Sequence, residues 1–134
     1  MQEIAHIGNW DWNVEDDTFY YSEELCRIMG QNIQPLDNLN SIIKRLVHEK
    51  DEKRVCEVIG KALEENTSYM IDYRIRRNSE EVYLSQLVEV LVNEEGDPTK
   101  LQGMIRDVTE SELVKMELND LSERLSLVTK SAHI

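Results

Sequence analysis

The side chains able to carry chemistry are scattered along this chain rather than gathered. His6, His48 and His133 stand too far apart for a zinc site. Cys26 and Cys56 are 30 residues apart, with no Cys-x-x-Cys and no histidine at ligand spacing, and read as two reduced thiols; a disulfide between them is the alternative. The paired carboxylates Glu64-Glu65, Glu80-Glu81 and Glu94-Glu95 all fall at turns or helix ends, where solvated surface explains them better than acid–base work. His48-Glu49 offers a histidine followed by an acid, as a phosphoacceptor would, but in a connector and without a glycine-rich nucleotide loop. No Gly-Gly-Asp-Glu-Phe-like loop is present either. What does recur at useful spacing is aromatic. Trp10 and Trp12 share one face of an alternating segment, as do Tyr69, Ile71 and Tyr73, while Gly103 and Ile105 share a face of another. These seven are the candidate lining of a small pocket, with the tryptophans and tyrosines placed to bracket a planar ligand or to fill a core.

The elements that must position them follow from periodicity. Gly8 to Val14 alternates as a strand, Glu15-Asp16-Asp17 is turn material, and Thr18 to Tyr21 completes a hairpin. Ser22 ahead of Glu23-Glu24 caps a short helix that Gly30 stops. Residues 31–37 are loop, 38–46 a second helix, and Asp51 can cap a longer one over 52–65, with Val55, Val58, Ile59, Ala62 and Leu63 as its apolar stripe. The period then switches to two for strands at 69–77, 82–92 and 101–108, a meander joined by turns at 78–80 and 94–98. The fold class is α+β: a five-stranded antiparallel sheet with helices inserted after the second strand. Asp72, Arg74, Glu89 and Arg106, the charges that interrupt the strands, fall mostly opposite the aromatic face. That weighs against a small α+β enzyme using the cavity for acid–base chemistry.

Thr109-Glu110-Ser111-Glu112 has the form of a capping box. The helix it opens, 110–131, carries Val114, Leu118, Leu121, Leu125 and Val128 at alternating four- and three-residue steps, a coiled-coil seam suited to a homodimer. The same stripe would suit a helix packed back on its own sheet. Ala5-His6-Ile7 recurs as Ala132-His133-Ile134, an offset of 127 residues (132 minus 5), so 132–134 reads as the start of a second repeat after a domain spanning 1–109.

Bulk composition narrows the partners. With 134 residues the chain buries about two-thirds of its unfolded surface, enough for one core around a small pocket. Fifteen basic against 27 acidic side chains leave a net charge of −12, which repels nucleic acid and anionic membranes. No stretch approaches the ~20 apolar residues that cross a bilayer, and Met1-Gln2-Glu3-Ile4 does not open like a signal peptide, so the expected location is cytoplasmic.

Over residues 7 to 112 the sequence resembles a PAS domain of the sensory-box, PAS fold-3 type. The carriers are Ile7-Gly8-Asn9-Trp10-Asp11-Trp12, Tyr21-Ser22-Glu23-Glu24-Leu25 leading to Met29-Gly30, and the connector Val47-His48-Glu49-Lys50-Asp51. After them come Asp72-Tyr73-Arg74-Ile75, Glu95-Gly96-Asp97-Pro98 and Gly103-Met104-Ile105-Arg106-Asp107-Val108-Thr109-Glu110. Two departures stand out: Glu49 replaces the usual proline after the connector histidine, and Ser79-Glu80 replaces an Asp-Gly turn.

The resemblance implies a curved antiparallel sheet enclosing a small cavity, in a module that senses a ligand, cofactor or redox state, or simply dimerises. Asp107-Val108-Thr109 matches the family's Asp-x-Thr junction, so Asp107, Thr109 and Glu112 are the expected relay from sheet to output helix. A kinase of a two-component system or a diguanylate cyclase would lie downstream in the same chain. Covalent flavin is disfavoured because neither Cys26-Arg27 nor Cys56 lies in an Asn-Cys-Arg-Phe context. Haem is disfavoured because residues 52–65 hold no axial histidine. No metal and no specific cofactor is expected; a structural spacer that only dimerises is the remaining alternative.

Overall fold

The computed structural model describes residues 7–30 and 39–132. Strands β1 (Ile7–Asn13) and β2 (Thr18–Tyr21) form the opening hairpin, helices α1 (Glu23–Met29), α2 (Leu39–Leu46) and α3 (Glu49–Glu65) follow, and β3 (Tyr69–Arg77), β4 (Glu80–Val92) and β5 (Pro98–Asp107) lead into α4 (Thr109–Ala132). The strands form one antiparallel sheet in the order β2-β1-β5-β4-β3. The first strand is therefore interior and β5 is the middle strand, because β5 returns to pair with β1 along its whole length. Ala5, His6, His133, Ile134 and the expected loop at 31–37 lie outside the described residues.

Local chemistry explains most boundaries. Ser22 Oγ accepts the Leu25 amide at the start of α1, and Gly30, at φ 71°, ends it in the left-handed region that a side chain would strain. The β3–β4 turn uses Asn78 and Ser79, both at positive φ (50° and 68°), so an Asn-Ser pair adopts the twisted two-residue turn for which Asp-Gly is better suited.

Inward-facing residues pack the sheet against α1, α2 and α3. Leu25, Leu46, Ile75, Leu84, Leu101 and Ile105 are almost completely buried, and Val55, Ile59 and Ala62 from α3 close over them. β3, β4 and β5 obey the two-residue period, so their opposite face looks to solvent.

Two expectations about helix starts need correction. α3 begins at Glu49, three residues earlier than its periodicity suggested, because His48 caps it through Nδ1, which accepts the Lys50 amide at 3.1 Å. Asp51 is therefore inside the first turn and buried. Nor does Thr109 cap the amide three residues on. Its hydroxyl is committed to the sheet, and the Glu112 amide bonds the Val108 carbonyl instead. The edges of β4 and β5 also extend two and three residues earlier than the sequence suggested, since Glu80, Glu81 and Pro98–Lys100 continue the ladders.

Candidate functional site

Between the sheet and the helices lies a cavity of about 40 Å³. Each surrounding element contributes. Trp10 comes from β1, Phe19 from β2, Leu25 and Met29 from α1, Leu39, Ile42, Ile43 and Leu46 from α2, and Val55 and Ile59 from α3. Val47, Tyr73, Gln86 and Ile105 complete the wall. No carboxylate, histidine, lysine or arginine is among these residues.

Of the seven expected lining residues, Trp10, Tyr73 and Ile105 reach this cavity. Ile71 is buried beside it without lining it. Trp12 points to a separate outer groove, where its indole nitrogen donates to Asp17 Oδ1 at 2.6 Å. Tyr69 is half-exposed at the edge of the sheet and donates its hydroxyl to the Glu65 carboxylate. Gly103 lies under Trp10: a Cβ there would sit 2.0 Å from the indole nitrogen, so the group that approaches this glycine closely is the tryptophan ring. The ring stacked on Trp10 is Phe19, at 5.7 Å between centroids and 20° between planes, rather than Tyr69. Trp12 and Tyr69 therefore do not bracket the cavity.

Sequence reasoning missed the polar residue at its centre. Gln86 stands in phase with Val82, Leu84 and Val88 on the inward face of β4 and is 3% exposed. Its Oε1 accepts two hydrogen bonds, from Trp10 Nε1 at 3.2 Å and from the Tyr73 hydroxyl at 2.9 Å. The available signal was a glutamine at an apolar phase of an otherwise apolar strand. Burial pushes the Tyr73 phenol well above its ordinary range, so it stays protonated and a donor.

Asp51 was also misread, as a cap. It is a buried ion-pair partner: its carboxylate accepts the Arg74 amide at 2.8 Å and two guanidinium hydrogens at 2.9 Å each, fastening α3 to β3. The Arg74 hydrogen bonds, opposed by desolvation, hold its pKa at about 2. His48, 3% exposed, stands beside this pair with Nε2 3.3 Å from Glu81 Oε1.

The junction to α4 is tightly bonded. Asp107 Oδ1 accepts the Thr109 amide at 2.9 Å and its hydroxyl at 2.6 Å, while Thr109 Oγ1 accepts the Tyr83 amide at 3.0 Å. Val108 adds a backbone bond to Tyr83, extending the ladder to the foot of the helix. Arg77 lies 3.7 Å from the other Asp107 oxygen and donates to the Ile28 carbonyl at 2.9 Å. One side chain thus links the end of α1, whose Leu25 and Met29 wall the cavity, to the junction. Glu112 is half-buried beside a groove with Asp51, Arg54 and Arg74, and its carboxylate lies 3.9 Å from Lys115.

Beyond its first turn α4 leaves the domain. Val114, Leu118, Leu121, Leu125 and Val128 are 50%, 60%, 48%, 68% and 66% exposed. The alternative of a helix folded back on its own sheet is excluded by these exposures. On the outer sheet face, Met70, Leu87 and Met104 lie in direct cross-strand register, with the two methionines exposed.

An antiparallel sheet covered on one face by three helices around a nearly filled cavity, with a fourth helix bonded to its last strand, defines a small α+β domain with a buried pocket. The family model described as PAS fold matches residues 18–105. The chain belongs to the PAS family. It is 26% identical over 125 residues to hybrid signal transduction histidine kinase I of Dictyostelium discoideum, covering 90% of this chain and 7% of that protein. It is 23% identical over 130 residues to the probable diguanylate cyclase DgcE of Escherichia coli K12, covering 96% of this chain and 12% of that one. The chain thus spans a small part of these relatives. Among solved structures, a sensory box histidine kinase/response regulator from Burkholderia thailandensis E264 superposes with a TM-score of 0.72 at 28% identity, covering 91% of this chain and 92% of that one. Among the described residues no helix is long and apolar enough to cross a membrane.

Proposed function

We propose that this chain is a cytoplasmic sensory and relay module: it takes a small molecule into the core cavity, pairs with a second copy through α4 and the PAS core, and passes its state to a downstream domain of the same chain. The observation that carries this reading is the junction. A shift of β4 or β5 moves Tyr83 or Asp107, both of which bond Thr109 at the start of α4, so strain in the sheet is felt as rotation or re-registry of the helix. The exposed seam gives the second copy its docking line. The relatives' kinase and cyclase names support an output domain of that kind, and the recurrence of Ala5-His6-Ile7 at 132–134 supports a repeat unit. The PAS fold supports sensing rather than catalysis as the chain's own part. Leu121→Asp tests the reading: sedimentation equilibrium should show the dimer replaced by monomer with the thermal midpoint of the sheet domain retained. An unchanged oligomeric state would overturn it.

A further inference from the structure

The geometry assigns the core cavity a ligand class: an uncharged molecule of about four heavy atoms whose hydrogen-bond acceptor is held by Gln86 Nε2. This deepens the reading of the chain as a ligand-responsive relay and rests on it. The orientation of Gln86 is fixed by chemistry. An indole nitrogen can only donate, so the atom facing Trp10 must be Oε1. The Tyr73 hydroxyl takes the same oxygen's second lone pair. Nε2 keeps two hydrogens and has no partner among the described residues, although the residue is 97% buried. Among those residues no fully sealed side-chain nitrogen or oxygen lacks a partner, so this nitrogen opens onto the cavity that Gln86 lines rather than being sealed against apolar side chains. A buried amide donor is costly until it meets an acceptor.

Charge and size set the rest of the class. The wall holds no ionised side chain, and Tyr73 stays neutral, so a charged ligand would be buried without a counter-charge. A cavity of about 150 Å³ accommodates benzene, and one water needs roughly 10–15 Å³. The 40 Å³ here therefore suits a short ketone, amide or alcohol and excludes an aromatic ring unless the helices part. At the efficiency ceiling of the best very small ligands, about four heavy atoms bind no tighter than roughly 40 µM.

The test is a nitrogen-15 correlation NMR titration of the whole chain with acetone and acetamide, each to about 100 mM, well above that ceiling. Acetate and methylammonium serve as charged controls. Acetone and acetamide should shift the Gln86 side-chain amide signals saturably, and the ions should not. Gln86→Met should weaken acetone binding at least ~10-fold by removing the donor. Val55→Leu should abolish binding by filling the cavity while leaving Gln86 in place, and it decides the question if Gln86→Met does not fold. Absence of saturable shifts, equal binding of the ions, or binding that survives Val55→Leu would overturn the assignment. Dimerisation is read separately by sedimentation. Saturable binding in a chain that stays monomeric overturns the relay and keeps the cavity assignment. A Leu121-dependent dimer whose cavity takes no probe does the reverse.

Discussion

Asp51 sits in the first turn of α3, where the positive end of the helix and the Arg74 fork both favour its charged form. Its folded pKa, about 2, lies below the ordinary value of 3.8. A depressed carboxylate adds stability in full above the unfolded pKa and loses it as pH falls through the folded one. The difference corresponds to about 2 kcal/mol, lost between roughly pH 4 and pH 2. Asp51→Asn should cost about 2 kcal/mol at pH 7 and flatten the urea-midpoint slope in that acid window; an unaltered slope would mean another group governs it. At Gly103 the constraint is steric. A methyl placed 2.0 Å from the Trp10 indole must displace it, and overpacking of this kind costs about 1–3 kcal/mol. Gly103→Ala should therefore lower the thermal midpoint and red-shift the tryptophan emission, because Trp10 loses its seat and its bond to Gln86.

Arg77 ties three elements together, since its guanidinium meets the α1 terminus and the Asp107 carboxylate from the C-terminal end of β3. Arg77→Met keeps the aliphatic stem against Gly30 but cuts both links. It should cost about 1 kcal/mol of stability and raise amide hydrogen exchange in the first turn of α4 more than in the centre of β4. Uniform acceleration would mean that the residue only stabilises the sheet. Such cross-links were the least legible part of the sequence. The faces of β3, β4 and β5 could be read because each obeys a two-residue period, and α1 because Ser22 and Gly30 are specific signals. The start of α3 could not, because His48 is a rare cap and Asp51 looked like a common one. The cavity wall was half legible. Alternation places Trp10, Tyr73 and Ile105 inward, but it cannot say that Trp12 turns to Asp17, that Tyr69 stops at the edge, or that the helices supply most of the wall. Gln86 escaped because periodicity marks an inward phase without saying which polar residue will find two donors there.

At the scale of the whole molecule, two apolar surfaces stand exposed among the described residues: the α4 seam and the Met70–Leu87–Met104 row on the outer sheet face. A 24-residue helix spans about 36 Å and offers only three heptads, a short coiled coil whose association is weak alone. If the PAS core shares the interface, the two surfaces contribute independently, because substitutions far apart add. Leu121→Asp, which sets a carboxylate in the middle of the seam, should raise the dimer dissociation constant at least ~100-fold, and Met104→Asp about 10-fold, with the double variant near the product of the two. Each protomer also carries a net charge of −12, so pairing brings like charges together and added salt should tighten the dimer. Sedimentation equilibrium across a salt series reads all of these. A dissociation constant untouched by Met104→Asp would confine the contact to the helix, and one that weakens with salt would point to ion pairs rather than the apolar seam as the force holding the copies together.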